Sequence, residues 1–355
     1  MFSWLSRRKE LVGLDIGSSS IKAVQLQRVR NRYRLCALGI APIDPETIVD
    51  GKIMDADRVS SVIRQIFEEN TIDVKEVAVS VSGHSVIVKK IKVPQMTKAE
   101  LRGGIAWEAE QQIPYSMKDV NLDFQILGET GPGKGEMDVL LVAVKKDTLN
   151  DYLAVISLAG LKAAVVDVDA FALENAFMIS QKMKPDEVVV LVNIGAAVTT
   201  INILLGGVSE FTRDSVLAGN RYTESLQKSL GLPHEQAEAL KMGAPVNGHQ
   251  FAEVSPIIEK VNAELAGEIL RSFDFFRSSA QVDTIHRMVL SGGCARLPGL
   301  PSYLSQALGL PVGIANPFRD IIADPKKFDR DYLSFIAPQM AVGIGLALRE
   351  PDDAR

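Results

Sequence analysis

Asp15, Gly17, Ser18, Ser19, Ser20 and Lys22 fall within one short stretch, where an apolar run ending at Ile16 gives way to small residues and a second run begins at Ile21. A carboxylate closing a buried strand is unfavourable unless it is paired or set near a metal ion. Gly17 permits a backbone conformation that a side chain would penalise, and the serines offer hydroxyls and backbone amides to an anion. Lys22 follows Ser20 by two positions, so in an extended strand both side chains point to one face. A phosphate chain with Mg²⁺ would satisfy the amides, the ammonium and the carboxylate together. For one copy alone, a Gly-Ser hairpin with an exposed lysine is the better reading. The pattern occurs twice, however: Val189-Val190-Leu191-Val192-Asn193-Ile194-Gly195-Ala196-Ala197-Val198-Thr199-Thr200 repeats it and returns through Ile201 to Leu204. Each copy reads as strand, tight small-residue turn and second strand. Two such turns facing each other across a cleft predict a nucleotide clamp.

The surrounding elements have to place the turns opposite one another. Strands are expected near 11–16, 20–28 and 33–40, then a helix over 55–69 with Val59, Val62, Ile63, Ile66 and Phe67 on one face, capped by Asp55 or Asp57. A strand over 76–81 follows. The second half has the same order: strands near 188–193, 198–205 and 208–213, a helix over 220–230, a strand and turn over 288–293, a helix near 298–308 and a short strand at 311–315. This predicts a duplicated α/β core. Two segments read as inserted. Residues 84–163 hold a strand (86–93), a helix (98–112), strands near 121–127 and 137–144, and a helix (147–158): an α+β subdomain. Its glycine-rich 131–135 reads as a hairpin tip and does not match the GxxxxGK[ST] loop. Residues 219–286 are mainly helical, with Ile257, Ile258, Val261, Leu265, Ile269 and Phe273 at core spacing. The expected division is 1–83 with 164–186 and 336–355 for the first core, 84–163 for the insertion, 187–218 with 287–335 for the second core, and 219–286 for the helical subdomain.

Composition narrows the class. At 355 residues the chain exceeds what one core usually serves. Hydrophobic residues at 46% and charged ones at 23% exclude a largely disordered chain, and a net charge of −5 gives no basis for a nucleic-acid surface. Cys36 and Cys294 show no metal-ligand spacing, so a reduced, cytoplasmic setting is expected. Met1 to Lys9 runs apolar then basic, the reverse of a signal peptide; it reads as a frayed tail whose Phe2, Trp4 and Leu5 would hold a membrane only weakly. Residues 188–208 are long and apolar enough for a span, but their polar residues and clustered β-branching favour a buried hairpin.

With both turns and the insertions in place, the sequence resembles the actin-like ATPase superfamily over essentially its whole length. Asp15 to Lys22 resembles the first phosphate loop and Asn193 to Thr200 the second. The stretch from Ala164 to Ala176 resembles the first connecting helix with its preceding strand, and Ala341 to Ala347 the second connecting helix. Gly219-Asn220-Arg221-Tyr222-Thr223 and Ala237-Glu238-Ala239-Leu240-Lys241 resemble the helices flanking the nucleoside, and Ser291-Gly292-Gly293-Cys294-Ala295-Arg296-Leu297 the adenosine motif. The α+β insertion, with Ala106-Trp107-Glu108-Ala109-Glu110-Gln111-Gln112-Ile113-Pro114-Tyr115, resembles the PilM family of type IV pilus assembly more closely than FtsA. FtsA carries a membrane-targeting helix after its core, where this sequence ends in a short tail.

The resemblance implies ATP and Mg²⁺ as cofactors, with Asp15 meeting the metal through water, and Lys22, Gly17, Ser18, Ser19 and Ser20 on the phosphates. Asn193, Gly195, Ala196, Gly219, Asn220, Gly292, Gly293, Cys294 and Leu297 would complete the nucleotide site. Glu238 and Lys241 share a helix face and are read either as ribose or adenine contacts or as a surface ion pair. Many active relatives have an aspartate where this chain has Asn193; the amide lacks the charge of a general base, so hydrolysis is expected to be slow or absent. The implied partner is the N-terminal cytoplasmic peptide of PilN, which would hold the protein at the cytoplasmic face of the inner membrane. Other pilus inner-membrane and motor components and self-association are left open. The competing readings are an FtsA-like filament-forming ATPase and a sugar or acetate kinase, the latter without an evident acceptor site.

Overall fold

The computed structural model describes residues 10–49, 51–129 and 135–350. The expectations for segment 1–9, for the tip at 131–134 and for the residues after 350 lie outside them. Strands β1 (Val12–Ile16), β2 (Ser20–Val29) and β3 (Arg32–Pro42) form an antiparallel meander. The short β4 (Ile48–Val49) and β5 (Lys52–Ile53), α1 (Ala56–Glu69) and β6 (Glu76–Val81) come after it. Next are β7 (Val86–Pro94), α2 (Lys98–Glu110), β8 (Val120–Glu129), β9 (Glu136–Lys145), α3 (Lys146–Leu158), β10 (Lys162–Val168) and α4 (Asp169–Ser180). A second meander, β11 (Val188–Ile194), β12 (Thr199–Leu205) and β13 (Val208–Ser215), leads into α5 (Gly219–Leu230), α6 (His234–Lys241) and α7 (Phe251–Ala280). The chain closes with β14 (Arg287–Ser291), α8 (Leu300–Leu308), β15 (Val312–Ile314), β16 (Ile321–Ile322), α9 (Arg330–Ile336) and α10 (Ala341–Ala347).

The two large sheets run β10-β6-β1-β2-β3-β16 and β13-β12-β11-β14-β15. In each, the first strand of a meander pairs in parallel with a later strand, and that strand with another. One topology is therefore used twice. Helix α1 shows how the sequence builds it: Asp55 caps its first turn by accepting from Arg58 N at 2.8 Å, and Val59, Val62, Ile63, Ile66 and Phe67 are buried. Burying side chains of this size stabilises by about 1.5–3 kcal/mol each. The stretch at 188–208 forms β11, β12 and the start of β13, and no described helix is long and apolar enough to cross a membrane.

The insertion's sheet, β7-β9-β8, packs Val93, Val139 and Leu141 against Leu101 and Ile105 of α2 in a core of its own. Helix α3 does not share that core. Its Tyr152, Val155 and Ile156 join Val12, Leu14, Ile63 and Val79, and it stands between β6 and β10 as α8 stands between β14 and β15. Likewise β16 pairs with β3, and Phe318, Ile321 and Leu333 pack on Val24, Leu26 and Leu35 of the first half. Apolar spacing groups 84–163 and 287–335 as single pieces; packing divides each of them.

Helices α4 and α10 lie between the halves. A Cβ on Gly345 of α10 would fall 1.8 Å from the Ala172 carbonyl oxygen of α4, so these two backbones touch. Helix α4 is tied to the second sheet by Asn202, whose Nδ2 donates to Ala170 O at 2.8 Å while its Oδ1 accepts from Ser209 Oγ at 2.7 Å.

Candidate functional site

The first turn is held by Gly17 N donating to Ser20 O at 3.2 Å and by Ile43 N donating to Ser19 O at 3.0 Å. Asp15 and Lys22 are directly opposed across β1 and β2, and the Lys22 ammonium reaches Asp15 Oδ2 at 3.0 Å and Ser20 O at 3.4 Å. Lys22 is only 9% exposed, which rules out the exposed-lysine hairpin.

The second turn closes the same way, Gly195 N donating to Val198 O at 3.0 Å. Asn193 opposes Thr200 across β11 and β12, and its Oδ1 accepts from Ser291 Oγ at 3.2 Å. The turn's carbonyls anchor the start of α5: Gly219 N donates to Gly195 O at 2.9 Å and Asn220 N to Ala196 O at 2.7 Å. Gly292 sits beneath with φ +85°, and a Cβ there would lie 2.3 Å from Ile194 O, so position 292 requires glycine. Gly293 is exposed.

Beside this turn lies a recessed polar network. Lys241, with 4% of its side chain exposed, donates to Glu238 Oε1 at 2.6 Å, to Thr223 Oγ1 at 3.1 Å and to Gly219 O at 3.4 Å. Thr223 Oγ1 also donates to Glu238 Oε1. Cys294 Sγ lies 3.9 Å from Gly195 O, and burial raises its thiol pKa. Gly195, Ala196, Gly219, Asn220, Glu238, Lys241, Gly292 and Cys294 are thus contiguous. Leu297 packs its side chain into the second-half core at 1% exposure, with only its backbone near the cluster.

Two further acids belong here. Asp169, the first residue of α4, accepts from Ser80 Oγ at 2.5 Å. Its carboxyl is pushed up to about 7, first by loss of surrounding water and then by the charge of Asp15. Asp214, near the end of β13, accepts from Gly83 N at 2.5 Å; burial raises it as well, and its charge is felt at Asp169. Gly83, two residues beyond the first half's β6, packs under Val198 of the second turn, so this contact crosses the cleft. Sequence reasoning missed both acids. For Asp169 the signal available was an acid closing the apolar run from Val165; Asp214, which follows Thr212 and Arg213, carried no such signal.

Chemically the arrangement is two small-residue turns with two buried ammoniums: Lys241 is matched by Glu238, while Lys22 stands among Asp15, Asp169 and Asp214. The excess negative charge fits a divalent cation. Among the described residues no three His, Cys, Asp or Glu side chains converge to ligate a metal directly.

A doubled meander with crossing helices between its halves and paired turns at the cleft defines the actin-like ATPase fold. The sequence model of the type IV pilus assembly protein PilM family matches residues 13–351, and the chain belongs to that family. It is 30% identical to a chain of the PilM–PilN type IV pilus biogenesis complex, with a TM-score of 0.87 over 96% of this chain and 98% of that one. The cell division protein FtsA of Bacillus subtilis (strain 168) is 22% identical over 94% of this chain and 82% of its own. MreB5 of Spiroplasma citri bound to AMPPNP shares the fold at 13% identity, with a TM-score of 0.52 over 95% of this chain and 94% of that one.

Proposed function

We propose that this protein is a nucleotide-dependent scaffold of type IV pilus assembly. It binds Mg·ATP between the two turns and captures the N-terminal cytoplasmic peptide of PilN, which brings it to the cytoplasmic face of the inner membrane. The observation that carries the nucleotide reading is the buried Asp15–Lys22 pair at the mouth of one turn, with a second turn of the same register in the other half. Lys22 would meet the phosphates, and the amides of Ser18, Ser19 and Ala196 would cradle them, those of Gly17 and Gly195 closing their own turns. Asp15 would hold the metal's water shell, and Glu238 and Lys241 would meet the ribose or adenine. The Mg²⁺ of bound Mg·ATP would supply the positive charge that Asp15, Asp169 and Asp214 call for, and its triphosphate a hydrolysable anhydride. Asn193 cannot accept a proton from water, so turnover by the isolated chain is slow.

The peptide reading rests on the likeness to a chain of the PilM–PilN complex and on edge geometry. Strand β8 is an outer strand of the insertion's sheet, and such an edge can take an added strand through main-chain hydrogen bonds, with alternate side chains seated in pockets. The insertion meets the first core where Tyr115 Oη donates to His84 O at 2.9 Å and Thr148 Oγ1 to Ser85 Oγ at 2.8 Å. The peptide would lie along this junction. Tethering to a bilayer raises effective concentration, so modest affinity suffices. Fluorescence anisotropy with a labelled peptide of the PilN N-terminal tail tests the idea: saturable binding is expected, and its absence both with and without Mg·ATP would sink the recruitment model.

A further inference from the structure

The stem that carries the insertion out of the first core is fastened to the second half at two points. Gly83, just before β7, donates its N–H to Asp214 of β13, and Lys90 of β7 reaches both Glu210 oxygens of β13 at 2.8 and 2.9 Å. Glu210 is the extra residue of an irregularity in the β12–β13 ladder, between Ser209 and Phe211, and Asp214 lies four residues further along the same strand. Lys90 also reaches Asp138 of β9 at 3.2 Å, so its charge joins the insertion's own sheet to the second half. Glu210 is 15% exposed and Lys90 27%, a shielded pair and not a solvated one. Partial burial works against the ammonium, but Glu210 and Asp138 more than offset it and hold Lys90 above the ordinary lysine range.

At its other end the insertion runs from β9 straight into α3, which packs in the first core. The insertion therefore bridges both walls of the cleft. Any change in the angle between the halves must shift either its seat on the first core or its hold on β13.

We propose that the Gly83–Asp214 and Lys90–Glu210 contacts form a clasp that makes the insertion's seat on the first core follow nucleotide occupancy of the cleft, so that nucleotide and partner peptide are thermodynamically coupled. The peptide half of this inference rests on the function proposed above. Coupling of this kind is reciprocal: the factor by which Mg·ATP changes peptide affinity equals the factor by which peptide changes ATP affinity.

The decisive variant is Glu210→Lys, which sets a second ammonium against Lys90 while leaving Lys90 with Asp138. The first readout needs no peptide. In a Cys36→Ser background, spin labels at Glu69 on α1 and Glu110 on α2 report the insertion's seat. Adding Mg·ATP should shift that distance with the clasp intact and leave it unchanged in the folded Glu210→Lys protein. An unchanged distance in both, or the same shift in both, overturns the clasp. The second readout is peptide affinity with and without Mg·ATP, expected to differ by about 5-fold or more and to converge to a ratio near one in Glu210→Lys. Equal ratios in the two proteins overturn the coupling. A label shift without any peptide binding leaves the clasp standing and overturns the recruitment reading instead.

Discussion

Asp15 and Asn193 hold the same place in two copies of one hairpin: each is the second-last residue of the first strand, opposed by Lys22 in one half and Thr200 in the other. The duplication preserved the backbone and let the charges diverge. The first copy presents an ion pair to the cleft, and the second presents an amide accepting from Ser291.

Restoring charge to the second copy should restore chemistry. Asn193→Asp places a carboxylate where Ser291 Oγ already donates, and it should raise ATP turnover by about 10-fold or more, within the range of general-base contributions. Steady-state phosphate release on the folded variant measures it. A brisk wild-type rate, or no gain in the variant, contradicts the role given to Asn193.

Lys22→Ala should weaken ATP binding by at least about 10-fold, since a buried charge-assisted contact to phosphate is worth more than about 1 kcal/mol. Isothermal calorimetry measures it. Affinity equal to that of the wild type removes Lys22 from the site.

Two glycine substitutions should act in opposite directions. In Gly345→Ala the new methyl meets the Ala172 carbonyl, so the helices must separate, with a loss of about 3 kcal/mol or more, as for severe overpacking. Gly103→Ala, on α2 with nothing within 4 Å of the added carbon, should stabilise by about 0.5–1 kcal/mol through helix propensity. Thermal melts of both variants check the pair.

Glu174 gives a pH signature away from the cleft. Burial pushes its carboxyl up to about 7, with Arg349 opposing and Asp167 adding to the shift. An acid raised on folding destabilises the folded state wherever it must ionise. Its penalty is absent below the unfolded value, near about 4.3, grows as pH rises to about 7, and is constant above that at about 3–4 kcal/mol. Glu174→Gln should therefore gain most over wild type at pH 8, less than half as much at pH 5, and nothing from this source at pH 4. Urea midpoints across that range decide it; a pH-independent difference would refute the shift.

What was legible in the sequence was local. Strand, small turn and strand are encoded in consecutive residues, so both hairpins and their order could be read, and the helix over 55–69 followed from its spacing and its cap. Partner choice was not legible. The apolar face of α3 fits the insertion or the first sheet equally well by spacing, and only the space between β6 and β10 decides. Nor does the sequence near Asp169 reveal that its carboxyl feels the charge of Asp15, since that depends on β1 and β10 flanking β6 in one sheet. Lys241 showed the same limit: the spacing to Glu238 was plain, while its burial beneath Gly219 came from the packing of α5 on α6.

The backbone contact between Gly345 and Ala172 also governs how the molecule can deform. At that point no side chain separates the helices, while Leu173 and Phe177 of α4 share a core with Val342 and Leu346 of α10 beside it. A backbone-to-backbone contact resists compression more than it resists rotation. A small torque applied at the cleft mouth would then be carried along a lever to the far rim of the protein. Displacement there grows in proportion to distance from the pivot.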